Sequence, residues 1–242
     1  MTTYQLIVAS GADALARQAA EQVALNLDLT LAERDRAQIA LAGGTTPRAA
    51  YAHLAEELLP WERVDAFLGD ERWVSPDDPA SNARLVRDSL LARGPGQQTR
   101  FHPVPTHLTT PEAGAEAYSA LLVQMCGGEP PVLDLVLLGL GEDGHTASLF
   151  PGTTAPRVRD RWVTTGEGKG LPRITLTAPT LCAARKVLFL VSGAGKQQAL
   201  ARLLDPAESE ERTPARLVCP HQPVVILADV EATAGLPEHL LR

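Results

Sequence analysis

Asp143-Gly144-His145 places a carboxylate two residues before an imidazole, across a glycine that lets the chain turn. An imidazole has an ordinary pKa near 6.5, so it can take and return a proton at neutral pH, and a nearby carboxylate can orient or polarise it. A histidine in such a turn can equally be structural, and the local residues leave both readings open. Three other short stretches carry groups suited to an anion. Gly43-Gly44-Thr45-Thr46-Pro47 combines backbone freedom, two hydroxyls and free N–H groups at a helix start, the makings of a phosphate cradle. Ser192-Gly193-Ala194-Gly195-Lys196 repeats that design and adds a fixed positive charge. Asp70-Glu71-Arg72 is a charge cluster whose plainest alternative is a surface ion pair of small energetic worth. Arg173, in the segment RITLT, is either structural or a further anion contact.

These groups matter only if the fold brings them to one place. Leu133 to Gly139 is an apolar run ending in glycine, the pattern of a strand buried on both faces. Ala37 to Ala42, Val64 to Leu68, Lys186 to Ser192 and Pro223 to Asp229 read the same way, and Tyr4 to Ser10 as a short strand. Between them, Leu15, Ala19, Val23 and Leu27 fall at helical spacing behind Asp13, a candidate cap. Pro47 suits the first turn of a helix continuing from Ala49 to Leu59. Helices are also predicted over Asn82 to Leu91, Pro111 to Cys126 and from Lys196 to Leu204. Phe101 to Pro105, Trp162 to Thr165 and Arg173 to Thr177 look extended, the last two around a glycine-rich tip at Gly166 to Gly170. Strands alternating with helices predict a single α/β domain over 1–242, with a mostly parallel sheet covered by helices on both faces. In such folds ligands gather beyond the carboxyl ends of the strands, where all these motifs fall.

The 22 basic and 29 acidic residues give a formal charge of −7, which argues against nucleic acid or an anionic membrane as partner. No signal segment or membrane-length apolar run is present, so a cytoplasmic, soluble protein is expected. Cys126, Cys182 and Cys219 lack ligand spacing and read as buried, reduced thiols. Gly139-Leu140-Gly141-Glu142-Asp143-Gly144 matches GxGxxG literally. No helix is predicted to open behind it, and Asp160 is no ribose-binding acid, so a dinucleotide is not indicated.

Taken together, the chain resembles the 6-phosphogluconolactonases, relatives of the glucosamine-6-phosphate deaminases and ribose-5-phosphate isomerases. The resemblance rests on LAGGTTP at 41–47, FLGDERWV at 67–74, SNARLV at 81–86, LGLGEDGHTASLFPG at 138–152, LPRITLT at 171–177 and SGAGK at 192–196. It implies a modified Rossmann-like, deaminase/isomerase-like fold and hydrolysis of 6-phospho-D-glucono-1,5-lactone to 6-phosphogluconate in the oxidative pentose phosphate pathway. The deaminases continue past their histidine into Asn-Glu-Pro, and that Glu assists deamination. Here Leu149-Phe150-Pro151 stands there, and Phe150 has no acid–base capacity. Arg72 stands where the deaminases place an aromatic. A deaminase or isomerase, and a non-catalytic sugar-phosphate sensor, are the competing readings.

The expected division of labour is as follows. His145 activates water and Asp143 supports it. Arg72 faces developing negative charge or a substrate oxygen, and Asp70 holds a sugar hydroxyl or Arg72. Gly43, Gly44, Thr45, Thr46 and Lys196 take the phosphate, with Arg173 as helper. A lactone is an activated ester, so no metal or organic cofactor is expected, and the chain is expected to be a monomer or weak homodimer.

Overall fold

The computed structural model describes residues 2–237 and Leu240. In chain order the elements are β1 (Tyr4–Ala9), α1 (Ala12–Glu33), β2 (Ala37–Leu41), α2 (Thr45–Leu54), β3 (Val64–Leu68), β4 (Asp70–Arg72), α3 (Asn82–Ser89), β5 (Arg100–Phe101) and α4 (Pro111–Cys126). They continue with β6 (Leu135–Gly139), β7 (Val163–Gly168), β8 (Leu171–Leu176), α5 (Ala178–Ala183), β9 (Val187–Val191), α6 (Gln197–Leu204), β10 (Val224–Asp229) and α7 (Val230–Thr233). Seven strands form one parallel sheet in the order β1-β10-β9-β6-β2-β3-β5, flanked by helices. Every residue of β3 and β9 is buried: β9 is a continuous Val/Leu/Phe run of the kind found when helices cover both faces, and β3 buries Asp65 among its apolar residues.

From β2 the chain first builds outward through β3 and β5, then returns to the other side of β2 with β6 and continues through β9 and β10. The carboxyl ends of β2 and β6 therefore open onto a topological switch point, where a crevice forms because successive connections leave in opposite directions. Two buried tyrosines fix the strand ends beside it. The Tyr51 hydroxyl accepts from the Ala42 N–H at 2.8 Å and donates to the Ala42 carbonyl at 2.9 Å. The Tyr118 hydroxyl does the same to Leu68, at 2.6 and 3.2 Å. Each phenol thus satisfies the polar backbone of one residue where its strand stops being paired.

Several expectations need correction. Asp13 does not cap α1: Gly11 is the cap residue, and Asp13 pairs with Arg17 in the first turn. Leu15, Ala19, Val23 and Leu27 do form its buried stripe. Helix α2 stops at Leu54 rather than Leu59, with Pro60 close behind, and α3 stops at Ser89 rather than Leu91. Asp70-Glu71-Arg72 is not a surface ion pair. It forms β4, which pairs antiparallel with β8 in a separate three-stranded sheet, β4-β8-β7, beside the main one. None of the cysteines is fully buried: Cys126 and Cys182 are partly buried and Cys219 is exposed, its sulfur 3.2 Å from that of Cys182. Among the described residues no helix is long and apolar enough to cross a membrane.

Candidate active site

The loop following β6 builds the first wall. The Gly141 N–H donates to the His145 carbonyl at 2.8 Å, the Gly144 N–H to the Gly141 carbonyl at 2.9 Å, and the Thr146 hydroxyl to the Gly139 carbonyl at 2.8 Å. These bonds fold the loop back on its strand and turn the imidazole toward the strand ends. The His145 ring nitrogen Nδ1 lies 2.5 Å from Asp143 Oδ1, which also accepts the His145 backbone N–H at 3.1 Å. A carbon at position 141 would sit 2.0 Å from His145 Nδ1 and 2.6 Å from Asp143 Oδ1, so only glycine leaves room for the pair.

Phe150 closes the other side of the imidazole. The two rings stack with centroids 4.1 Å apart and planes at 28°, and the Arg173 guanidinium lies 5.3 Å from the centroid of the Phe150 ring. Burial pushes the His145 pKa below its ordinary value, against the opposing pull of Asp143, a shift that favours the neutral ring. Asp143 is also partly desolvated, but its bonds to His145 dominate and hold it below the usual carboxylate range.

The small sheet supplies the facing groups. Asp70 accepts from the Ser148 hydroxyl at 2.5 Å through Oδ2 and from Asn82 Nδ2 at 3.2 Å through Oδ1, with Arg173 Nη1 3.7 Å from Oδ2. Burial lowers the Arg173 pKa, opposed by Asp70 and helped by Arg72, its cross-strand partner. Glu71 points the other way. It is buried and accepts from the N–H groups of Arg72, Asn82 and Ala83 at 2.7 to 2.8 Å and from the Ser81 hydroxyl at 3.1 Å, so it anchors the start of α3. Burial raises its pKa against those bonds. Arg72 donates through Nη1 to the Ala80 carbonyl, while its buried Nε has no protein partner.

The phosphate-type loops complete the rim. Gly43 and Gly44 bring bare backbone to the start of α2, and Asn82 packs its carboxamide so closely over Gly43 that a carbon there would lie 1.9 Å from Oδ1. Ser192 and Gly193 are tied to Asp229, at the end of β10, by bonds of 2.5 and 3.1 Å, which set the turn that carries Lys196.

Gly43, Gly44, Asp70, Arg72, His145, Arg173 and Lys196 therefore line one cleft of about 200 Å³, and Asp143 stands behind His145. Thr45 and Thr46 do not line it; they sit in the first turn of α2. The sequence reading missed three lining residues, Asn82, Phe150 as a wall rather than a marker, and Lys169. Ser81 preceding a helix start hinted at Asn82, and a lone lysine in a glycine-rich tip hinted at Lys169. Lys169 is held at φ +54, an unusual conformation for a residue with a side chain. Among the described residues, no three or more His, Cys, Asp or Glu side chains come together to hold a metal ion.

The chain as a whole is similar to known proteins. Residues 10–227 match the family described as glucosamine-6-phosphate isomerases/6-phosphogluconolactonase. A 6-phosphogluconolactonase of Synechocystis sp. is 43% identical over 217 residues, covering 88% of this chain and 90% of that protein. One from Nostoc sp. is 41% identical over 226 residues, covering 92% and 94%. The solved 6-phosphogluconolactonase of Trypanosoma brucei superposes with a TM-score of 0.87 at 30% identity, covering 98% of this chain and all of that one.

Proposed function

The chain belongs to the glucosamine-6-phosphate isomerase/6-phosphogluconolactonase family, and on that premise we propose that it hydrolyses 6-phospho-D-glucono-1,5-lactone with His145 as general base. The observation that supports this reading is the Asp143–His145 pair at a cleft also lined by the Gly43-Gly44 backbone and Lys196. With Nδ1–H held by Asp143, the free lone pair is at Nε2. Nε2 takes a proton from water as its oxygen bonds to the lactone carbonyl carbon. The tetrahedral oxyanion meets donors on Arg72. As the ring C–O bond breaks, the proton on Nε2 passes to the departing ring oxygen, leaving the open-chain acid and a neutral imidazole.

The phosphate is assigned to the free N–H groups at the start of α2 and to Lys196, because a helix amino terminus and a fixed cation both favour an anion. Asp70 is engaged by Ser148, Asn82 and Arg173, so its contribution is to fix those donors at the edge of the cleft. Phe150 argues against amino-sugar deamination: it fills the space beside His145 with a ring that can neither give nor take a proton.

The deciding experiment follows lactone loss with purified protein and EDTA at slightly acidic pH, where spontaneous hydrolysis is slow. Enzymatic acceleration is expected with no ammonia release from glucosamine 6-phosphate. Lactone loss at the background rate would remove the hydrolase reading and leave a sugar-phosphate sensor.

A further inference from the structure

Two thiols distant in sequence meet outside the machinery described above. Cys182 lies in α5 and Cys219 in the segment leading to β10, 37 positions later. Their sulfurs are 3.2 Å apart, both as free thiols. The Cys219 backbone N–H donates to Cys182 Sγ at 3.1 Å, and Cys182 Sγ donates to the Leu217 carbonyl at 3.1 Å, so the Cys182 sulfur is held against this segment from two directions. We propose that Cys182 and Cys219 are a dithiol oxidation site, converted by a hydroperoxide to an intramolecular disulfide and returned by a thiol reductant.

The two sulfurs are unequal, and the inequality orders the reaction. Cys219 is exposed and is the sulfur an oxidant meets. Cys182 is half-buried, and burial pushes its thiol up to about 12, only partly opposed by the Cys219 N–H and the Arg159 guanidinium. It is therefore slow to react with peroxide itself and acts second, losing its proton as it attacks the neighbouring sulfur 3.2 Å away. In the first step Cys219 sulfur attacks one peroxide oxygen, the O–O bond breaks, and Cys219 becomes a sulfenic acid as water or an alcohol departs. In the second, Cys182 sulfur attacks Cys219 sulfur, the S–O bond breaks, and the Cys182 proton leaves with the hydroxyl as water. Two thiols are oxidised by two electrons and one peroxide is reduced. Cys126 takes no part: it lies at the end of α4, and the sulfur contact is between Cys182 and Cys219.

The bond would tether a segment that already supports the active loop. Just upstream of Cys219, the Ala215 N–H donates to the Gly144 carbonyl at 3.0 Å, behind the turn that carries His145. A link between α5 and Cys219 restricts the unfolded chain without touching a residue of the cleft, so it acts on stability.

The full-length protein, treated with hydrogen peroxide and then alkylated without reduction, should lose two of its three thiols and the mass of two hydrogens, with one linked peptide pair, Cys182–Cys219. C126S should behave likewise. C219S should form no disulfide, and C182S should stop at a sulfenic acid on Cys219. The melting temperature should rise by several degrees on oxidation and fall back with dithiothreitol. Three alkylatable thiols after excess peroxide, a disulfide joining two chains, or a pair involving Cys126 would overturn the site. An unchanged or lower melting temperature in the fully oxidised protein would overturn the tether.

Discussion

The His145 imidazole lies flat against the Phe150 ring, centroids 4.1 Å apart, and this contact buries the base that the proposed reaction needs neutral. Phe150→Leu should admit water to that face and let the His145 pKa rise toward its ordinary value. More of the enzyme is then protonated at any mildly acidic pH, so the acid limb of kcat/KM should move to higher pH. An unshifted limb would show that Phe150 does not set the titration of His145.

Removing the base itself should act on turnover. His145→Ala is expected to lower kcat by about 10²–10⁴-fold with little change in KM, the usual range for general-base assistance. Asp143→Asn removes the group that raises the His145 pKa, so the acid limb should move to lower pH while kcat falls. The two limbs moving in opposite directions, in Phe150→Leu and Asp143→Asn, is the signature that separates burial from charge.

Lys196→Ala should weaken substrate binding and leave the chemical step. Loss of one charge-assisted contact costs about 1.5–3 kcal/mol, roughly 10- to 150-fold in KM. Lys169 reaches the same cleft from the β7–β8 tip, on the side of His145 and Asp143. Lys169→Ala should therefore lower kcat more than it raises KM, and steady-state kinetics on the two variants distinguish the two lysines.

Gly141→Ala tests position without removing any functional group. The added carbon collides with His145 Nδ1 and Asp143 Oδ1, so the dyad must shift by about 1 Å, for which about 10²-fold in rate is expected. The melting temperature should change little by comparison. A fully active variant would mean the observed pair geometry is not the working one.

Asp65 governs acid stability far from the cleft. It is buried in β3 and meets Arg36 at 2.5 Å, His102 at 2.8 Å and Arg100 at 3.4 Å. Burial alone would raise its pKa, but Arg36 and His102 outweigh it and hold it below 3.8. A depressed carboxylate adds stability that is complete above its unfolded pKa, near 3.9, and is lost as pH falls through the lower folded value. Asp65→Ala should cost about 1.5–3 kcal/mol at neutral pH, the loss of a hydrogen-bonded charged group whose arginine partners can still reach water, and should flatten stability against pH below about 4. Urea denaturation at two pH values checks both.

Much of the fold is written locally. The apolar runs of β6, β9 and β10 are long and uninterrupted enough to require burial on both faces, β2 and β3 follow the same pattern with one polar residue each, and the alternation of strands with helices points to a parallel sheet. Glycines and polar groups at the ends of β2, β6 and β9 then had to fall on the same edge, which is why Gly43, His145 and Lys196 could be grouped before any contact was known. What the sequence could not determine depends on partners distant along the chain. Asp70-Glu71-Arg72 became a strand because β8 lies alongside it, a pairing across about a hundred residues that no local pattern encodes. That pairing turned Glu71 inward to anchor α3 and set Asn82 over Gly43. The same small sheet brought Arg173 to Phe150 and Asp70, and carried Lys169 to the rim. Residue type and spacing determined which groups can do the chemistry. Tertiary packing alone decided which of them are desolvated, paired and aimed, because burial and charge act through space.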